Sequence, residues 1–371
     1  MKEKIRKQIF FWGKILLAAV FIVIIILKFD LKEAWNKILN TNPLYITASL
    51  GAFLTFLIFL TLRWLILSKA RKHTYGFFYL FRSLVIHFFF NNILPSTIGG
   101  DVYRIVDTGG KKGAGVSFSV VWMDRMSGLI GVFAFGFLAS IAYAVMSGKF
   151  ILTLIFGAAF AVATIIVLAF LSKKINDWLS PRLSKIRIFK YPLGEKIASA
   201  FTEITHYRKH KIALFSAILL SLGVQTSLVA IWYLLFLGVI DGNHKINPID
   251  MSSYTTSETD KAPVLSEDSL RIDSKMTDIS KPTQENTKNP TFIHFMVTLP
   301  VVNTTAMFSV GGWGVREMTF VNILASFSVK VDKHSFLATS FLFDIVNVFF
   351  GLIGGALLLL RKRKSKLKKP D

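Results

Sequence analysis

Residues 91–101 read NNILPSTIGGD and follow IHFFF at 86–90, inside a run otherwise apolar enough to begin a membrane helix. Two amides, a proline, a glycine pair and a carboxylate at this place decide the fold, because lipid offers no partner for backbone N–H and C=O groups. A broken helix survives at membrane depth only where protein or a water-filled cavity surrounds it. The stretch therefore predicts an interrupted helix enclosed by a bundle.

The remainder of the chain supplies that bundle. Its 371 residues are 53% hydrophobic with 35 Phe, and apolar runs lie near 11–27, 44–67, 127–146, 149–171, 213–240 and 335–360. Each can cross a hydrocarbon core of about 30 Å, which takes about 20 helical residues. A barrel would need short alternating strands, and the pattern is not of that kind. The first run follows MKEKIRKQ and continues into KFDLKEAW without a small-residue cleavage site, so it is expected to be a retained span.

Composition also excludes. Without cysteine there are no disulfides, no cysteine-ligated zinc and no thiol chemistry. No P-loop, nucleotide fingerprint, nucleophile elbow or metal-ligand spacing is present, so no cofactor and no metal are expected. The net charge of +22 invites a nucleic-acid partner. The basic residues, however, stand in blocks beside apolar runs, at the N-terminus, in SKARKH (68–73), across 173–211 and in RKRKSKLKK (361–369). That placement fits the positive-inside rule and attraction to anionic headgroups, and no nucleic-acid partner is expected.

Charge bookkeeping then sets a topology. With the basic N-terminus in the cytoplasm, span 1 goes out and span 2 returns at SKARKH. Residues 173–211 hold ten Lys and Arg against Asp177, Glu195 and Glu203, so they too belong in the cytoplasm. Two spans, 115–146 and 149–171, precede them, which leaves Lys111 and Lys112 cytoplasmic and requires 77–110 to enter and leave on one side. The same count from the other end places 241–290 outside and the tail inside, so 291–330 must enter and leave from outside. That second segment also carries Leu299-Pro300 and Gly311-Gly312 before charged residues.

The expectation is an all-α polytopic membrane helical bundle, 1–371 forming a single integral membrane domain. It has about six full spans plus two opposed re-entrant hairpins at 77–110 and 291–330, or eight hydrophobic segments if the hairpins are counted as spans. Paired discontinuous segments in two halves point to an inverted repeat with a site near the midplane. Residues 172–212 form a basic cytoplasmic loop and 361–371 a basic cytoplasmic tail. Residues 241–290 form a polar external insertion of disordered composition. Residues 28–43, with Leu31, Ala34, Trp35, Ile38 and Leu39 at helical spacing, suit an interfacial helix.

Charges inside the membrane cost about 2.5 to 3.5 kcal/mol each on insertion scales and mark candidate sites. Asp101 and Arg104 are three apart on a helix that opens at Gly99-Gly100, so they share a face and can pair. Bare N–H groups there suit a phosphate, while the plain alternative is a tight turn capped by Asp101. GGWGVRE repeats the arrangement with Gly311, Gly312, Gly314, Arg316 and Glu317. Adjacent Asp124 and Arg125 point about 100° apart and should serve different neighbours. Arg63 suits a snorkelling interfacial residue. Asp344 should face the interior as a buried charge partner of an arginine, with a proton-coupling role left open. His87 suits a buried, hydrogen-bonded histidine.

Three motifs in order, NNILPSTIGGDVYRI, VVWMDRMSGLIG and GGWGVREMTF, resemble the transmembrane region of lysylphosphatidylglycerol synthases, a group that includes stand-alone flippase-like membrane proteins of bacteria and archaea. The likeness runs from about residue 10 to 360. The family's second motif is commonly Glu-Arg where this chain has Asp124-Arg125, and its third is stretched here between Pro300 and Gly311. The resemblance implies a multi-pass protein of the cell membrane, both termini cytoplasmic. The full synthases carry a cytosolic domain that transfers an aminoacyl group from tRNA. This chain stops soon after its last span, so enzymatic activity is not expected.

The leading functional expectation is translocation of a phosphate-bearing lipid between leaflets, an aminoacyl-phospholipid, other phospholipid or polyprenyl-linked glycan. The candidate headgroup site comprises Asn91, Asn92, Gly99, Gly100, Asp101, Arg104, Asp124, Arg125, Gly311, Gly312, Gly314, Arg316 and Glu317. The alternative is a non-transporting membrane partner of a glycosyltransferase or lipid-modifying enzyme in cell-envelope lipid metabolism. Self-association is left open.

Overall fold

The computed structural model describes residues 31–93, 98–110, 113–184, 202–246, 289–306, 315–327, 329 and 332–360. The described residues form α1 (Leu31–Leu39), α2 (Pro43–Ala70), α3 (Phe77–Ile93), α4 (Ile98–Gly109), α5 (Ala114–Ser147), α6 (Ile151–Leu171) and α7 (Lys173–Ser184). A 3-10 turn at His206–Lys209 leads into α8 (Lys211–Ile246), followed by α9 (Phe292–Ala306), α10 (Val315–Ala325) and α11 (Lys333–Leu359). The chain is an all-α multi-pass membrane bundle. The expected first span, the Pro95 turn, Lys111 and Lys112, most of the polar insertion, Gly311, Gly312, Gly314 and the basic tail lie outside the described residues.

Five helices, α2, α5, α6, α8 and α11, are long and apolar enough to cross a membrane. They are apolar around their whole circumference, which suits a span and not a soluble amphipathic helix. Several hydroxyl groups inside them bond back to carbonyls of their own helix, as Thr61 Oγ1 does to Leu57 O (2.7 Å) and Thr339 Oγ1 to Ser335 O (2.7 Å), which satisfies those groups without a neighbouring helix. In contrast, α3 and α9 have 17 and 15 residues. At 1.5 Å per residue they reach about 25 and 22 Å, short of a core of about 30 Å.

Local signals explain where the helices begin and end. Pro43 opens α2 and Asn42 caps it, its side-chain oxygen accepting from Leu44 N at 3.0 Å. Asp332 caps α11 in the same way through His334 N at 3.1 Å. Gly148, in the left-handed region at φ 72°, stops α5 and donates its N–H to Ala144 O.

The halves α2–α5 and α8–α11 share one plan of a long span, two shorter helices and a second long span. Helices α2 and α8 run antiparallel. Asn42 N, before α2, bonds Gly238 O near the end of α8, and Tyr207 Oη, before α8, bonds Leu67 O near the end of α2 at 3.0 Å. The first short helix of each half packs on the last span of the other half, α3 on α11 and α9 on α5. The second short helix packs on its own half's last span, α4 on α5 and α10 on α11. This reciprocal exchange between antiparallel halves is the inverted repeat expected from the paired broken segments.

Helices α3 and α11 approach closely because glycines face the contact. A Cβ on Gly354 would meet the backbone of Val85 and Ile86, which cannot yield, and one on Gly351 would meet Asn92. Outside the repeat, α6 packs on α5 and leaves Leu154, Ile155, Val162 and Ile165 exposed, the surface expected against lipid. Helix α1 rests on α11, with Ala34 packed beside Leu337 and Lys37 Nζ 2.7 Å from Asp332 Oδ2, while Trp35 and Leu39 stay exposed.

Candidate functional site

The first cluster assembles where α2, α4 and α5 meet. Asp124 of α5 accepts from Arg63 Nε of α2 at 2.7 Å and from Arg104 Nη2 of α4 at 2.9 Å. Arg63 also donates to Ser221 Oγ of α8 at 3.0 Å. The Arg104 guanidinium lies over the Trp64 ring, 4.0 Å from its centroid. Adjacent Arg125 turns to another partner, its Nε donating to Asp101 Oδ2 at 2.7 Å, as the 100° offset along a helix requires. Arg104 Nη1 stands 3.6 Å from Asp101 Oδ1, so the expected pairing within α4 is present but is the longer of Arg104's two.

The broken segment delivers Asp101 to this cluster. Asn91, at the end of α3, accepts from Gly100 N at 3.1 Å and bonds His87 Nε2 at 2.9 Å. A Cβ on Gly100 would collide with His87 and Asn91, so only glycine lets α4 start this close to α3. Asp101 occupies the first turn of α4 and not its cap, because the helix already begins at Ile98. Negative charge in a first turn is favoured by the exposed N–H groups there. Asn92 points elsewhere and donates to Asn347 O of α11 at 3.3 Å. Gly99 is half-buried in the same turn.

The expectation for Arg63 is corrected. It is 5% exposed and ion-paired, and does not snorkel. Arg63 lies where α2 crosses α5, and the Asp124 carboxylate there offers more than a distant interface does. A buried charge without a partner is among the most destabilising features a bundle can hold.

The second cluster repeats the first in the other half. Arg316 of α10 forms a two-pronged pair with Asp344 of α11, Nη1 to Oδ1 at 3.0 Å and Nη2 to Oδ2 at 2.7 Å. It also donates to Glu317 Oε1 and, at 2.6 Å, to Ser340 Oγ, whose hydroxyl in turn bonds Glu317. Trp232 of α8 lies under Arg316, with 5.5 Å from guanidinium to centroid. Trp64 and Trp232 stand at the same distance from the first residues of α2 and α8. Each half thus builds the same trio, a tryptophan from its first long span, an arginine from its second short helix and an aspartate from its last span.

The trios differ in balance. Around Asp124 three arginines face two aspartates, whereas around Asp344 one arginine faces two carboxylates. Among the described residues, the buried Arg104 Nε and His87 Nδ1 find no hydrogen-bond partner. Among the described residues no group of three His, Asp or Glu side chains converges to hold a metal.

Of the sequence candidates, Asn91, Gly100, Asp101, Arg104, Asp124 and Arg125 come together in the first cluster, and Arg316, Glu317 and Asp344 in the second. Gly311, Gly312 and Gly314 lie outside the described residues. Sequence reasoning missed Arg63, Trp64, Trp232, Ser221 and Ser340 as cluster members. The usable signal was a tryptophan at an equivalent place in each half's first long span.

Residues 11–240 match the family described as lysylphosphatidylglycerol synthase TM region. The chain belongs to that family. No curated protein and no solved structure matches it. Membership in this family makes the chain a membrane protein linked to lipid metabolism. The matched residues contain α1 to α7, most of α8 and all of the first ion-pair cluster, and end before α9, so GGWGVREMTF lies beyond them.

Proposed function

We propose that the chain moves a phosphate-bearing lipid between leaflets, with the headgroup drawn to the first cluster while the acyl or polyprenyl chains stay in lipid. The observation that carries this reading is the surplus of positive charge around Asp101 and Asp124, where three arginines face two aspartates at the junction of two short helices. Arginine is suited to phosphate because its planar fork offers parallel donors. Arg125 is the most open member, with 38% of its side chain exposed, and is the natural first contact.

The reciprocal packing of α3 on α11 and α9 on α5 supports the movement. A displacement of either short helix is felt by the last span of the opposite half, which is how opposed repeats alternate access around one site. In this reading both hairpins are re-entrant, the termini are cytoplasmic, and the membrane is the cell membrane.

The test uses liposomes that contain fluorescent phospholipid or labelled polyprenyl phosphate and reconstituted protein. Wild type is expected to equilibrate the label between leaflets, and Arg125→Gln to slow this about tenfold while still unfolding in a single cooperative transition. Absence of equilibration with every lipid, or a rate indifferent to Arg125→Gln and Arg104→Lys alike, would refute the proposal.

A further inference from the structure

Two cavities open beside the start of α8, away from both ion-pair clusters. One, of about 920 Å³, lies between the end of α2 and the start of α8, where Ile66, Lys69, Arg208, Lys209, Lys211 and Ile212 line it. The other, of about 450 Å³, lies against the end of α6 and the start of α7, where Leu168, Leu171, Lys173, Lys174, Arg208 and Lys211 line it. Arg208 and Lys211 belong to both.

We propose that this double cavity binds an anionic phospholipid of the surrounding membrane. Arg208 and Lys211 hold its phosphates, and its chains lie along Ile66, Leu168, Leu171 and Ile212. The occupant is resident and not cargo, so the inference goes beyond the translocation reading and uses none of its residues.

Charge complementarity selects the headgroup. Lys69, Lys173, Lys174, Arg208, Lys209 and Lys211 are all exposed, and the nearby carboxylate of Glu203 is engaged by Arg71. Cations gathered this closely repel one another unless an anion sits among them, and near a membrane each contributes about 1 kcal/mol of attraction to anionic lipid. The apolar walls select a lipid over a soluble phosphate. Beside the basic ring, Ile212, Phe215 and Leu219 on α8 and Leu168 on α6 are exposed, as residues against acyl chains are. A cationic rim above an apolar wall matches a phospholipid along its length. Two lobes that share one pair of cations suit two phosphates better than one.

The site is also held in shape before any lipid arrives. Tyr207 is fully buried, and its hydroxyl donates to Leu67 O of α2 at 3.0 Å, which fixes the 3-10 turn that presents Arg208. The Arg71–Glu203 pair ties the same turn to the end of α2. Pre-organised donors lose little freedom on binding.

Native mass spectrometry of the detergent-purified full chain tests this, with cardiolipin, phosphatidylglycerol and phosphatidylcholine titrated in parallel. Cardiolipin is expected to bind most tightly, and both anionic lipids about tenfold or more above phosphatidylcholine. Arg208→Gln combined with Lys211→Gln should abolish the preference, Arg208→Lys combined with Lys211→Arg should keep it, and Lys149→Gln, a distant cation, should leave it unchanged. Lys211→Gln alone, milder on folding, should reduce it about threefold. Equal binding of phosphatidylcholine, or a preference that survives both neutralising variants, overturns the proposal. Displacement of cardiolipin by an equal concentration of inorganic pyrophosphate also overturns it, since the site would then be one for soluble phosphates.

Discussion

Arg104 and Asp124 meet at 2.9 Å with the Arg104 guanidinium 4.0 Å from the Trp64 ring, and Arg316 and Asp344 meet at 2.7 Å above Trp232. The same three side chains, drawn from equivalent helices, thus hold each short helix to the span that follows it. Asp124 additionally anchors Arg63, so one carboxylate compensates two guanidinium groups. Asp124→Asn is expected to lower stability by about 3–5 kcal/mol, because it leaves two buried cations underpaired. Thermal unfolding in detergent measures this. Combining Asp124→Asn with Arg63→Met should recover part of the loss, and additive losses would show that the two residues do not interact.

The tryptophans act through their ring faces. Among the described residues, the buried Trp64 Nε1 and Trp232 Nε1 find no hydrogen-bond partner, and it is the ring faces that meet the guanidinium groups. Trp64→Phe should therefore cost less than Trp64→Leu, which removes the π-face under Arg104 and about 0.5–2 kcal/mol of cation–π attraction. The same order is expected at Trp232. A reversed order at either site in thermal unfolding would contradict it.

Gly354 is predicted to be the least tolerant position along the contact of α3 with α11. A methyl group there meets the backbone of Val85 and Ile86, and backbone cannot move aside as a side chain can. Gly354→Ala should destabilise by about 1–3 kcal/mol as an overpacked contact. Gly51→Ala, with open space around its Cβ, should be close to neutral in the same unfolding assay.

Asp332, at the cap before α11, should make stability weakly pH-dependent. Burial pushes its carboxyl up, but hydrogen bonds from Lys37 and Ser335 outweigh this and hold its pKa below the usual carboxylate value. A depressed folded pKa contributes stability that is present above the unfolded pKa of about 3.9 and lost as pH falls through the folded value. With 38% of the side chain exposed, the effect should stay below about 1 kcal/mol. Asp332→Asn should abolish it, and a comparison of melting temperatures at pH 7 and at about pH 3 measures the difference.

The chain contains no cysteine, so single cysteines report topology directly. Gly76 and Gly115 flank the α3–α4 pair, and both have open space for a side chain. If that pair is re-entrant, Gly76→Cys and Gly115→Cys react with an impermeant maleimide from the same side of the membrane, and Lys149→Cys reacts from the opposite side. Labelling of Gly76→Cys and Gly115→Cys from opposite sides would make the pair a full crossing.

Much of this architecture is legible in one dimension. Apolar runs of span length, blocks of Lys and Arg at their ends, and two segments broken by Pro and Gly-Gly are local patterns imposed by the bilayer itself. They are sufficient for an all-α bundle with short paired helices in opposed halves. Asp344 facing an arginine was legible for the same reason, since lipid does not tolerate a lone carboxylate.

Only the tertiary structure decided which charges meet. From sequence Arg63 suited a place at the interface, and Asp101 and Arg104 suited one another. In the bundle Arg63 turns inward to Asp124, Arg104 takes that carboxylate over its own helix neighbour, and Asp101 is claimed chiefly by Arg125. Pairing depends on where α2, α4 and α5 cross, and crossing points arise from packing between residues far apart in the chain. The insertion cost of a charge is written in its own helix, but its partner is chosen by the helices around it.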